Sequence, residues 1–241
     1  MDKKFIIDYD DTLAPNQHDY SESQLAFIKY VIDTVGPKAP DVPTIIAFVE
    51  EIDAAAVEEM KFAMERFPLS FVTAYRKICE PLGIVPTPTQ LNDVYTMGML
   101  SYSSERWEKN GLFPGVAETL DFLTAQEDEL VLLTKGDSRV QEKKIAATGV
   151  KKWFKDNIFI VPSKSKEVLL EYAKNTPLGQ VYHIGNSIRS DVKPALEARM
   201  KMIYIPLETW AYEKNHNGVS QDANLITLST FKDIIKIYEF L

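Results

Sequence analysis

Between Phe5 and Leu13 the chain reads "FIIDYDDTL", with Asp8, Asp10 and Asp11 directly after residues typical of a buried strand. Carboxylates this close repel one another, and charge beside an apolar core is costly. Side chains alternate along an extended chain, so Asp8 and Asp10 are expected on one side and Tyr9 on the other. Joined by a further acid, such a pair makes a hard-oxygen site suited to Mg2+, which would offset the repulsion. A carboxylate held by a metal can attack phosphorus, and its neighbour can give and take a proton.

These residues need elements that hold them. Short apolar runs recur at 4–8 ("KFIID"), 130–134 ("LVLLT"), 158–162 ("IFIVP"), 181–185 ("VYHIG") and 202–206 ("MIYIP"), with a weaker one at 225–228 ("LITL"). They are continuous rather than alternating, as strands covered on both faces are. Amphipathic stretches near 115–126, 138–148, 164–174, 188–199 and 230–240 lie between and after them. This alternation predicts an α/β fold, a Rossmann-like parallel sheet with helices on both faces. From about Asn16 to Asn110 there is no convincing strand. Four helical stretches, 21–35, 41–67, 69–83 and 88–110, are punctuated by prolines such as Pro37, Pro68 and Pro88. The expected organisation is a core of 1–15 and 111–241 interrupted by an all-helical domain at 16–110.

In open parallel sheets, ligands bind beyond the carboxyl ends of the strands. After the first strand come Asp8, Asp10 and Thr12; after the second, Thr134, Lys135 and Asp137. The third is followed by Ser163, Lys164 and Lys166, and the fourth by Asn186, Ser187 and Asp191. Asp191 is thus the acid expected to join Asp8 and Asp10 around a cation. Thr134 offers a hydroxyl and a lysine after the third strand a fixed positive charge for phosphate oxygens.

Composition narrows the chemistry. The chain has 241 residues, 45% hydrophobic and 26% charged, an ordinary balance for a globular protein. A formal charge of −8 argues against nucleic acid or an anionic membrane as the main partner. No stretch nears the roughly 20 apolar residues of a membrane span. The opening "MDKKFIIDYDD" is too poor in apolar residues for a secretion signal. Cys79 is the single cysteine, so no disulfide forms within the chain and a cytoplasmic setting is expected. The three histidines, His18, His183 and His216, lack zinc-site spacing, and a structural role is expected for His183.

The tips match a family pattern. The sequence resembles the haloacid dehalogenase (HAD) superfamily: "DYDDT" is similar to its Asp-x-Asp-x-Thr motif, and Thr134 in "LLTKGD" to its second-strand Ser or Thr. Lys164 in "VPSKSKEVL" looks like its lysine, preferred over Lys166 because it precedes a helix. "GNSIRSD" is similar to its Gly-Asp-x-x-x-x-Asp pattern. The resemblance implies a nucleophile at Asp8 and a general acid and base at Asp10. It implies phosphoryl binding by Thr134 and Lys164, and Mg2+ held by Asp8, the Asp10 main-chain carbonyl, Asn186 and Asp191. The helical domain sits where one branch of the family carries a cap, which would close over the core and disfavour macromolecular substrates.

Two positions depart from the pattern. Asn186 replaces an acid and removes one negative charge from the metal site. Arg199 stands where the family commonly has Gly; a left-handed Arg there would cost about 1 kcal/mol, so a locally different turn is expected. Simpler roles are expected elsewhere: Asp137 and Ser138 as a helix cap, "VEEIDAAAVEEM" as a solvated helix face, and Cys79 as core. The implied function is a Mg2+-dependent phosphatase of a small phosphorylated metabolite, working as monomer or homodimer through an aspartyl-phosphate. The alternatives are a phosphomutase or dehalogenase of the same fold, or a binding or regulatory module with weakened catalysis.

Overall fold

The computed structural model describes residues 3–207 and 222–241. Contacts divide them into two units, one containing 3–15, 107–207 and 222–241, the other 16–106. The first is built on six strands: β1 (Lys4–Ile7), β2 (Glu129–Lys135), β3 (Ile158–Val161), β4 (Val181–Gly185), β5 (Lys201–Tyr204) and β6 (Leu225–Thr227). All pairings are parallel and the order is β3-β2-β1-β4-β5-β6. The weak run at 225–228 is therefore a true edge strand.

Both faces of the sheet are buried, which is why its strands read as unbroken apolar runs. Phe5, Ile7, Leu130, Leu132, Tyr182 and Ile184 point into one core. The alternate residues Ile6, Val131, Leu133, Val181 and Met202 point into the other. After β1 the chain builds outward through β2 to β3, then returns across β1 to lay down β4, β5 and β6. Such a reversal opens a crevice at the strand ends beside β1.

Caps set where the intervening helices begin. In this unit lie α6 (Val116–Ala125), α7 (Ser138–Thr148), α8 (Lys151–Phe154), α9 (Lys166–Tyr172), α10 (Lys193–Glu197) and α11 (Asp233–Ile237). Asp137 caps α7 by accepting from Arg139 N at 2.9 Å, as expected, and Ser165 caps α9 by accepting from Val168 N. The stretch expected as one helix from 188 begins instead as a π turn over Ile188–Val192 before α10.

At the end of α10 the expected departure does not occur. Arg199 takes φ 57°, the left-handed conformation itself. Arg199 N donates to Leu196 O (2.9 Å) and Met200 N to Ala195 O (3.0 Å), the paired bonds of a Schellman ending. Met200 and Ala195 are both buried in the second core. Packing and two hydrogen bonds outweigh the steric cost at Arg199.

The helical unit holds α1 (Gln17–Val35), α2 (Val42–Met60), α3 (Arg66–Cys79) and α4 (Pro88–Met99), followed by α5 (Ser104–Asn110), which runs on into the first unit. Its core contains Phe27, Val31, Ile45, Val49, Phe71 and Ile78. The stretch expected to be one helix over 41–67 breaks at Met60, where Lys61 turns to φ 54°. A Thr87–Gln90 capping box with Pro88 in the first turn opens α4. A Cβ at Gly98 would lie 2.5 Å from Pro68 Cα, so α3 and α4 cross at a point only glycine permits. Cys79 is buried and free.

The acidic run in α2 is not wholly solvated. Asp53 falls in register with Ile45, Val49 and Val57 on the buried face. It pairs there with buried Arg66, whose Nη1 also donates to Asp53 O at 3.0 Å, and accepts from Ser70 Oγ at 3.2 Å.

Candidate active site

The carboxyl ends of β1, β2 and β4 and the loop after β3 place the expected residues together. Asp8 leaves β1 with its main-chain N donating to Ile184 O at 2.9 Å, which locks the strand end to β4. Its Oδ1 accepts from Lys164, and its Oδ2 accepts from Thr12 Oγ1 at 3.2 Å. The backbone turns back just beyond, with Asp11 at φ 57° and Asp11 N donating to Ala14 O. That turn carries Thr12 toward the site, where its hydroxyl also lies 3.3 Å from Asn186 Oδ1.

Lys164, not Lys166, is the lysine of the site. Its side chain is buried and donates to Asp8 and, at 2.7 Å, to Asp191 Oδ1; Lys166 opens α9 exposed to solvent. Asp191 is fully buried in the π turn after β4. It also receives Ser187 N (3.0 Å, on Oδ2) and faces His183 Nε2 (3.0 Å, on Oδ1). π turns inside helices recur at functional sites. Gly185 makes room for this carboxylate: a Cβ there would sit 2.3 Å from Asp191 Cγ. His183 is wholly buried, its Nδ1 2.9 Å from Ile6 O, and so braces Asp191 from beneath.

Lys164 is shared by two buried carboxylates, and their other contacts are divided unequally. Burial alone would raise Asp191, but Lys164 and the hydrogen bond from His183 outweigh it and hold that carboxyl well below the usual range. Asp8 lacks comparable donors. Burial pushes it up to about 7, with Asp191 and Asp10 adding to the rise and Lys164 opposing it. Burial would lower Lys164, yet the two carboxylates raise it above its ordinary value.

Asp10 faces a different set of partners. Lys144 Nζ donates to its Oδ1 at 2.6 Å, and Gln141 Nε2 to its Oδ2 at 2.8 Å. The same amide lies 2.7 Å from Thr134 Oγ1 and 3.0 Å from Lys135 O, so the second-strand hydroxyl and Asp10 share one contact. Lys135 itself donates to Ser190 Oγ. Asn186 turns its nitrogen outward to Leu207 O (3.0 Å), which leaves its carbonyl oxygen facing Thr12.

Sequence reading missed Gln141 and Lys144. Both lie on the buried side of α7 beside Val140 and Ile145. Two long polar residues, three apart, on a face otherwise buried were the available signal.

The oxygen-only donors of Asp8, Asp191, Asn186 and the Asp10 carbonyl suit a hard divalent cation in kind. Among the described residues no three of His, Cys, Asp or Glu are grouped to hold a metal. Burial lifts Asp8 most, and the repulsion that Asp191 and Asp10 add to it is what a cation would relieve.

No protein-family model matches the sequence, and no curated protein is similar to it. Solved structures are similar over nearly all of this chain. A haloacid dehalogenase-like family hydrolase of Xanthomonas campestris superposes with a TM-score of 0.75 at 19% identity, covering 99% of this chain and 91% of that one. The fold is haloacid dehalogenase-like. An L-2-haloacid dehalogenase of Xanthobacter autotrophicus superposes at 0.60 and 13% identity, covering 99% of both chains. A Haemophilus somnus protein whose phosphoglycolate phosphatase activity is a prediction gives 0.62 at 18% identity, covering 98% of both. The haloacid dehalogenase-like fold serves different reactions, so the reaction must be argued from the site.

Proposed function

We propose that the protein is a Mg2+-dependent phosphatase acting on a small phosphorylated metabolite. The observation that carries this reading is the separate provision for two carboxylates, Asp8 on Lys164 and Asp10 on Gln141 and Lys144. Displacing a halide needs no proton donor, whereas an alkoxide leaving phosphorus does. A retained and braced Asp10 therefore favours phosphoryl transfer over dehalogenation.

In the first step an Asp8 oxygen attacks phosphorus, the ester P–O bond breaks, and Asp10 gives the departing alkoxide a proton. In the second, water loses a proton to Asp10 and attacks phosphorus, and the P–O bond to Asp8 breaks with its electron pair returning to the carboxylate. Lys164 and the Thr134 hydroxyl would hold the phosphoryl oxygens. Asp8, Asn186, Asp191 and the Asp10 carbonyl would hold Mg2+, which supplies charge neutralisation for the phosphoryl group. We read residues 16–106 as the cap that selects the metabolite.

Incubation with Mg2+ and p-nitrophenyl phosphate, followed by a metabolite panel, tests the reading. Metal-dependent phosphate release abolished in Asp8→Asn is expected. Absence of release from every ester would leave the binding or regulatory module as the better account.

A further inference from the structure

The geometry points to Gln141 and Lys144 as positioning residues that hold the Asp10 carboxylate ready to take the proton of the attacking water. This rests on the phosphatase reading above.

Both Asp10 oxygens are occupied by donors from one helix, Lys144 on Oδ1 and Gln141 on Oδ2. Residues three apart on a helix lie on neighbouring turns of one face, so the two donors converge. The helix is tied in turn to the loop that carries Asp10: Tyr9 Oη donates to Lys144 O at 3.0 Å. Gln141 also bonds the end of β2, at Thr134 Oγ1 and Lys135 O. Asp10 is thereby fixed against two strand ends, though its side chain remains one-quarter exposed.

Burying a lysine and a glutamine is costly unless each is paired. Lys144 and Gln141 are 4% and 2% exposed, and their polar ends turn to the same carboxylate. Gln141 Oε1 is left buried without a hydrogen-bond partner, so the amide presents its donor side at the expense of its acceptor. Donors on both oxygens fix the orientation of this carboxyl group, so the residue that gives its proton to the alkoxide is in place to take one back from water. In the second step the water O–H bond breaks, its proton passes to Asp10, and the water oxygen bonds phosphorus as Asp8 is released.

A helix brace alone could use the same contacts, and kinetics separate the two roles. With p-nitrophenyl phosphate the leaving phenolate needs no proton, so kcat/KM reports phosphorylation of Asp8 while kcat includes water attack. Lys144→Met is expected to lower kcat about 100-fold, the scale of general acid–base catalysis, and to lower KM in step. The ratio kcat/KM then stays constant, and the fraction of acid-quenched enzyme carrying phosphate rises. Lys144→Arg should recover most of kcat. A fall of kcat/KM together with kcat, without a gain in phosphoenzyme, overturns the proposal and leaves the phosphatase reading standing. Wild-type protein that forms no phosphoenzyme and releases no phosphate removes that reading, and the positioning role with it. If melting curves show that Lys144→Met does not fold, Gln141→Leu, which keeps the ion pair, carries the same comparison.

Discussion

Lys164 and Asp191 form a wholly buried ion pair at 2.7 Å, and the same ammonium also reaches Asp8. Removing one member of a buried pair strands the other charge, at a cost of about 3–5 kcal/mol. Here two carboxylates would be stranded side by side. Lys164→Met is therefore expected to lower stability by at least that range in urea denaturation without divalent ions. Added Mg2+ should recover part of the loss. A change below ~1 kcal/mol, the scale of an exposed pair, would contradict this account.

Asp8 should make stability fall as pH rises. Its carboxyl lies at about 7 in the folded protein against an ordinary value of 3.8, so the native state holds this proton more tightly than the unfolded chain does. The resulting stability is complete below the ordinary value and is lost as pH climbs through the folded one. Asp8→Asn does not titrate. In metal-free buffer its melting temperature should exceed that of the wild type at alkaline pH, with the gap closing as the solution is made acidic. A gap independent of pH would show that burial of the charge is not what Asp8 endures.

The Asp53–Arg66 pair in the helical unit should behave as a buried pair whose members depend on each other. Burial raises Asp53 above its ordinary value although Arg66 and the bond from Ser70 oppose it. Arg66→Met alone should cost about 3–5 kcal/mol, while the double change to Asp53→Leu and Arg66→Met should recover most of it, since apolar replacements of buried pairs are often neutral. A double-mutant cycle in urea measures the coupling; additive losses would argue against it.

Gly185 should tolerate no side chain. An alanine Cβ would lie 2.3 Å from Asp191 Cγ, and the carboxylate is held by Lys164 and Ser187 N, so it cannot yield freely. Gly185→Ala is expected to lose about 1–3 kcal/mol or more, the scale of overpacking. It should also weaken any Mg2+-induced rise in melting temperature, because Asp191 must move. Unchanged melting with and without Mg2+ would refute the crowding argument.

Strand ends were legible because sequence marks them twice, by unbroken apolar runs and by the abrupt polar residues that follow. Asp8, Thr134 and Asn186 each stand at such a junction, Lys164 in the loop after β3 and Asp191 in the π turn after β4. Gln141 and Lys144 stand inside a helix, where a polar residue reads as solvated unless the tertiary fold turns it inward. Asp53 was hidden for the same reason: its neighbours in the acidic run are solvated, and only its register with Ile45 and Val49 betrays it. The break at Lys61 had no Gly or Pro to announce it, because a left-handed residue of another type leaves no mark in composition.

Arg199 offers the cleanest measure of that last effect. Its φ of 57° ends α10 in a Schellman turn whose two hydrogen bonds involve main-chain atoms only. Glycine could keep both bonds and remove the clash between Cβ and the backbone, worth about 1 kcal/mol at a left-handed position. Glycine also loosens the unfolded chain, which returns part of the gain. Arg199→Gly should therefore be at least as stable as the wild type and melt up to roughly 2–4 °C higher, the shift expected for about 1 kcal/mol in a chain of this size. Arg199→Ala, which keeps the Cβ, should show no such rise. If alanine and glycine raise the melting temperature equally, the arginine side chain rather than the backbone is the source of the cost.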